Sequence, residues 1–169
     1  MSRLNPVLFA IAAAIAVFHP SGQIAAQEAG IAVGEKAPSA LMKTLDGKPV
    51  DIGSWVGKSP MLIEFWAHWC PNCKEIEPKL IALEKKYGTR MKFIGVAVSV
   101  NQTPERVKAY TKRYGYRHET FFDAAGNAAD AYDAPATSYI VLVDRTGTVV
   151  YTGVGGKQDL EPAILKAIR

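Results

Sequence analysis

From Met61 to Trp66 the chain reads Met-Leu-Ile-Glu-Phe-Trp, an apolar run interrupted by one carboxylate. Such a run predicts a central strand covered on both faces. Ile76, Leu80, Leu83 and Tyr87 then recur at helical spacing with charges between them and Gly88 as the stop. They predict a helix that Pro78 should kink. Lys92–Val100 predicts a second buried strand. Thr103-Pro104-Glu105 is a helix start, a capping hydroxyl followed by proline at the first helical position. Val107, Tyr110, Thr111 and Tyr114 mark the inner face of that helix. Tyr139–Asp144 and Thr148–Val154 predict a hairpin turning at Arg145-Thr146-Gly147, and Gln158–Ile168 predicts a closing helix. Upstream, Leu41–Leu45 and the turn signal Asp46-Gly47-Lys48 predict a small hairpin ending near Ile52. Strands alternating with helices define an α/β fold with a mixed central sheet flanked by helices.

The amino terminus follows a different pattern. Pro6–Phe18 is an apolar run of 13 residues with Arg3 before it and no acid ahead of Glu28. That is the length of a signal-peptide core and short of the roughly 20 residues that span a bilayer. Ile24 and Ala26 make a cleavage site before Gln27, so residues 1–26 read as a signal peptide. An uncleaved anchor over Leu4–Ala26 is the alternative. Residues 27–36 read as a linker and 37–169 as one domain, placed in the periplasm or otherwise outside the cytoplasm.

Composition narrows the function. The chain has 169 residues, 49% hydrophobic and 21% charged, with a net charge of +4 spread along its length. A nucleic-acid binder usually needs a dense basic stripe, so no nucleic-acid partner is expected. Lys108, Lys112, Arg113 and Arg117 do cluster around one helix, which reads as a solvated face. Two cysteines exclude a disulfide-stapled miniprotein and a four-cysteine zinc site within one chain.

Those cysteines lie in Trp66-Ala67-His68-Trp69-Cys70-Pro71-Asn72-Cys73, where the buried strand hands over to the helix. Cys70 falls at the helix N-terminus, where unpaired N–H groups and the helix dipole stabilise a thiolate. Pro71 fits the first turn without losing a hydrogen bond. Cys73, one turn later, should be deeper and shielded while Cys70 stays reachable. A low-pKa exposed thiol attacks a disulfide and the shielded thiol resolves the mixed disulfide. A passive Cys70–Cys73 bridge would close a loop too short to stabilise much. A metal-binding or metallochaperone module using the same sulfurs, for copper above all, is the alternative. His68 would be its nitrogen ligand, but His68 and Cys70 are two apart across a strand end, where side chains diverge. Glu64 is a lone carboxylate in an apolar strand, so its pKa should be raised and it could exchange protons with Cys73 through water.

The chain resembles the thioredoxin superfamily, and more narrowly the exported TlpA/ResA-like thiol–disulfide oxidoreductases. The resemblance rests on Gly34 with Ala37-Pro38, Asp46-Gly47-Lys48, Gly57-Lys58, the Phe65-Trp66-Ala67 to Trp69-Cys70 frame, Pro78 five after Cys73, an extra helical insertion around Thr103–Tyr114 and the Asp144–Gly147 hairpin. It implies the thioredoxin fold and reversible Cys70–Cys73 disulfide chemistry, more often as a reductase. No bound cofactor is implied. The partners implied are exported protein thiols and disulfides, and a membrane redox partner that recycles the dithiol; a monomer is expected. Glu64 matches the buried acid of thioredoxin itself, and joins Cys70 and Cys73 as the expected catalytic set. Trp69, Pro71, Thr137 and Ser138 are the expected substrate-binding residues. Three departures stand out. An ungapped count puts Ser138, after Thr137, where the family has a cis proline, with Pro135 three residues early. Ile76 stands where TlpA/ResA-like proteins often carry a glutamate, and Glu75 and Glu77 beside it read as a solvated face. The strand Phe93–Val100 contains no lysine to counter Glu64. Ala67 also stands where peroxiredoxin chemistry wants threonine, which sets that activity aside.

Overall fold

The computed structural model describes residues 30–116 and 118–169. The expected signal peptide over 1–26, the start of the expected linker, and Arg117 of the basic cluster lie outside the described residues. The strands are β1 (Leu41–Thr44), β2 (Pro49–Asp51), β3 (Met61–Trp66), β4 (Lys92–Val98), β5 (Glu119–Asp123), β6 (Tyr139–Val143) and β7 (Val149–Val154). The helices are α1 (Pro71–Tyr87), α2 (Pro104–Tyr114), α3 (Asn127–Ala131) and α4 (Glu161–Ala167).

One mixed sheet runs β2-β1-β5-β4-β3-β6-β7. β3, β4 and β5 are parallel, as crossovers through α1 and α2 require, and the hairpins β1–β2 and β6–β7 add antiparallel pairs at the two ends. All six residues of β3 are buried, Glu64 included, as expected of a central strand covered on both faces.

Period-two alternation along β3 sorts its side chains onto two faces. Met61, Ile63 and Phe65 pack with Tyr132, Tyr139 and Val141. On the opposite face Leu62 joins Leu80, Leu83 and Ile164 of α1 and α4. Trp66 joins Cys70, Cys73 and Val107. Glu64 lies between Leu62 and Trp66 on that second face, beneath α1.

Several boundaries differ from those read in the sequence. The packed unit starts before Ala37: the Ile31 N–H donates to Tyr132 O, and Glu35 and Ala37 bond to the β6–β7 hairpin. Residues 31–36 are thus docked along that hairpin rather than free. β4 stops at Val98, leaving Val100 58% exposed. Tyr114 is 48% exposed and rests on Tyr110, 4.4 Å between centroids, instead of facing the core. α1 continues through Pro78, which sits on its exposed side. β5 and α3 were not anticipated at all. β5 fills the gap between β1 and β4, and the buried Asp123 at its end accepts the N–H groups of Ala128 and Ala129, capping α3.

Candidate active site

The handover from β3 to α1 builds the site. Cys70 is the N-cap of α1, in extended conformation, and Pro71 occupies the first turn where its missing N–H costs nothing. Cys70 Sγ accepts the N–H of Cys73 at 3.1 Å, so a helix-terminal donor already points at the sulfur. The first turn carries no acid, while Lys74 stands beside it, so the local field favours a thiolate. Cys70 and Cys73 form a disulfide with their Cα atoms 5.3 Å apart. The expected contrast in exposure is not there: the two residues are 2% and 1% exposed, since Trp66, Ala67, Ala97 and Val107 enclose both. What distinguishes them is the helix N–H directed at Cys70.

Trp69 is 39% exposed and its indole N–H donates to Val100 O, fixing the ring over the end of β4. Pro71 and Asn72 are exposed on the same rim. The β3–β6 register pairs Phe65 with Tyr139. Continuing it by one residue sets Ser138 beside Trp66. Ser138 is fully buried with φ +60°, and no cis peptide bond occurs among the described residues. Its hydroxyl accepts the Gly155 N–H and its carbonyl accepts the Gln158 amide. Its side chain is thus spent on holding the β7–α4 loop, whereas Thr137 is half-buried at the rim. That loop, from Val154 to Gln158, forms a surface hollow with Asn72 and Glu75 beside the start of α1.

Gln102 is a site residue that sequence reasoning missed. It is 7% exposed, and its Oε1 accepts the backbone N–H of His68 at 3.0 Å while lying 2.9 Å from His68 Nδ1. A carbonyl oxygen only accepts, so Nδ1 carries a proton. The Gln102 Nε2 donates to Val98 O, clamping the ends of β3 and β4 together just before the cysteines. His68 therefore turns toward Gln102, and among the described residues no three His, Cys, Asp or Glu side chains converge as a metal set. Gln102→Leu is expected to lower stability by about 1–3 kcal/mol by orphaning these groups. Urea unfolding checks this, and a loss below roughly 0.5 kcal/mol would mean the clamp is idle.

Glu64 is fully buried, and both carboxylate oxygens lack a hydrogen-bond partner among the described residues. Burial, reinforced by the nearby Glu77 charge, pushes its pKa up to about 8. Glu77 is not on a solvated face: it is 7% exposed, accepts a hydrogen bond from Tyr110 at 3.0 Å, and is itself raised by burial. Its position one turn after Cys73 turns it inward, while Glu75 stays exposed as expected. Burial also pushes the Tyr110 and Tyr116 hydroxyls well above the phenol range, so both stay protonated. Tyr116 stacks on Trp66 with centroids 5.0 Å apart.

A cysteine pair at the start of a long helix, behind a buried strand of a mixed sheet that carries a buried acid, defines a thioredoxin-fold thiol–disulfide oxidoreductase. The chain matches the Redoxin family over residues 32–168 and belongs to it, as a TlpA/ResA-like protein of the thioredoxin superfamily. It is 28% identical over 138 residues to the thioredoxin-like protein YneN of Bacillus subtilis (strain 168), covering 80% of each chain. It is 26% identical over 142 residues to the thiol-disulfide oxidoreductase ResA of Bacillus thuringiensis subsp. konkukian, covering 83% of this chain and 81% of that one. Among solved structures, a thioredoxin-family thiol:disulfide interchange protein from Chlorobium tepidum TLS superposes with a TM-score of 0.67 at 26% identity. The match covers 82% of this chain and 99% of that one.

Proposed function

We propose that the protein is an exported reductase of protein disulfides, with Cys70 as the attacking thiol, Cys73 as the resolving thiol and Glu64 as the proton shuttle. The observation that carries this is the helix-terminal N–H held on Cys70 Sγ at the start of α1, the helix that covers the β3 face bearing Glu64. The Cys70 thiolate attacks a substrate disulfide, forming a mixed disulfide and releasing one substrate thiolate. Cys73, deprotonated, then attacks Cys70 Sγ and releases the second. Two electrons pass from the dithiol to the substrate, and the Cys70–Cys73 disulfide remains. A membrane redox partner then restores the dithiol.

The hollow between Asn72 and the Val154–Gln158 loop suits an extended substrate segment, with the exposed Trp69 and Pro71 near Asn72 in the chain as further contacts. Thr137 meets the segment, and Ser138 acts by holding the loop behind it. The reducing direction is what the TlpA/ResA-like resemblance implies. Export is supported by the Pro6–Phe18 run behind Arg3. Among the described residues no helix is long and apolar enough to cross a membrane.

Equilibration with glutathione buffers is expected to give a Cys70/Cys73 potential at or below about −220 mV. A value near about −120 mV would make the protein an oxidant and overturn the direction alone. Absence of any reversible two-electron couple, with tight uptake of one Cu(I), would replace the redox reading by metal binding.

A further inference from the structure

His118 enters the interior just ahead of β5. It is 8% exposed, and neither ring nitrogen has a hydrogen-bond partner among the described residues. Glu64 and His118 line the same narrow interior gap, too tight to hold a water molecule, walled by Leu62, Leu80 and Phe93. His118 also lines a surface pocket with Glu84, Lys92 and Glu119. One imidazole thus borders the space in front of Glu64 on one side and a solvent opening on the other. Gly95, the β4 partner of Glu64, makes the room: a Cβ there would lie 3.2 Å from the His118 ring and 2.9 Å from Trp66 Nε1.

The charged and titratable groups around the pair come from every neighbouring element. α1 supplies Glu77, hydrogen-bonded by Tyr110 of α2, and Glu84, whose Oε2 lies 3.6 Å from His118 Nδ1. The loop after α2 supplies Tyr116, its ring 4.7 Å from the imidazole. Lys92 of β4 and Glu119 of β5 pair with each other at the pocket. β6 sets the apolar Ile140 opposite Glu64.

We propose that His118 is the proton-transfer partner of Glu64, carrying protons between that buried carboxyl and the surface pocket at Glu84. This rests on the oxidoreductase reading above. A carboxyl that stays protonated up to about 8 is in the wrong form to accept the Cys73 proton at neutral pH. In the step proposed, the Glu64 carboxyl passes its proton to neutral His118, leaving a carboxylate and an imidazolium. The carboxylate takes the proton of the Cys73 thiol. The Cys73 thiolate attacks Cys70 Sγ, and the electron pair of the broken mixed disulfide leaves on the substrate sulfur. His118 releases its proton through the pocket, and the substrate thiolate is protonated from solvent. Acting through Glu64 and not on the sulfurs, His118 is a positioning residue for the proton.

Two measurements test this. In the wild-type protein, carbon-13 shifts of the Glu64 carboxyl and nitrogen-15 shifts of the His118 ring should move with a common midpoint, as coupled sites do. A His118 ring whose shifts stay still while Glu64 ionises overturns the proposal. In single-turnover reduction of a model disulfide at pH 7, His118→Gln is expected to slow resolution about tenfold or more and move its pH profile upward. In a Glu64→Gln background the same substitution should have no further effect. An unchanged profile in a folded His118→Gln protein, or equal slowing in both backgrounds, overturns the relay. Should His118→Gln not fold, the wild-type titration decides. A wild-type protein without turnover whose Glu64 and His118 titrate together would sink the functional reading and leave the pairing standing.

Discussion

Replacing Cys73 by serine is expected to abolish multiple turnover, by about 10³-fold or more, while leaving one round of attack intact. Cys73 is bonded to Cys70 across the first turn of α1, which holds it in place as the resolving group. The serine hydroxyl at that position is too weak a nucleophile to break the mixed disulfide. Cys73→Ser should therefore accumulate covalent adducts through Cys70 with protein disulfides, visible as bands that collapse on reduction. Cys70→Ser should form none, because the thiol it leaves lacks the helix N–H that stabilises a thiolate at Cys70. Undiminished turnover in Cys73→Ser would sink the two-thiol mechanism. Adducts forming equally well in Cys70→Ser would reverse the two roles.

The elements legible in the sequence were those whose patterning and stop signals agree. β3 announces itself by six apolar-run residues, α1 by its spacing and Gly88, and α2 by Thr103-Pro104, whose hydroxyl does cap the helix. β5 was not legible because Glu119-Thr120-Phe121-Phe122-Asp123 is short and only half apolar, and its strand character comes from insertion between β1 and β4. His118 was missed with it. Glu77 misled for a related reason. Lys74, Glu75 and Lys79 lie near it in the chain, and its burial depends on Tyr110 of α2 folding over α1, a contact that no local pattern encodes. The absence of a lysine from Phe93–Val100 led to the expectation of an uncountered Glu64. Tertiary placement instead brings His118 from a different segment to the same interior gap. Gln102 carried no signal either, since a lone polar residue between a strand and a helix cap reads as loop.

Glu64→Gln is expected to make the oxidised protein more stable at alkaline pH, by an amount that vanishes toward pH 5. The folded pKa of Glu64 is raised from 4.5 to about 8, so between those values the native state holds a proton that the unfolded chain has lost. Stability from this group is fully present below about 4.5 and falls by about 1.4 kcal/mol per pH unit as pH rises toward 8, the loss being complete above it. The upper limit is roughly 5 kcal/mol, reached only if the interior does not relax around the charge. The exposed or nearly exposed carboxylates act oppositely. Asp51, held down by Ser39 and the Gly53 N–H, and Asp144, held down by Thr146 and Thr148, contribute stability above the carboxylate range that is lost on acidification. The two trends together place maximal stability on the acidic side of neutrality. Urea unfolding of wild type and Glu64→Gln at pH 5, 7 and 9 isolates Glu64 and the groups coupled to it, because every uncoupled titration cancels in the difference. A gap of a few kcal/mol at pH 9 that closes to within about 1 kcal/mol at pH 5 is the expected result. A difference independent of pH would mean that Glu64 ionises freely, and would remove it from the proton path to Cys73.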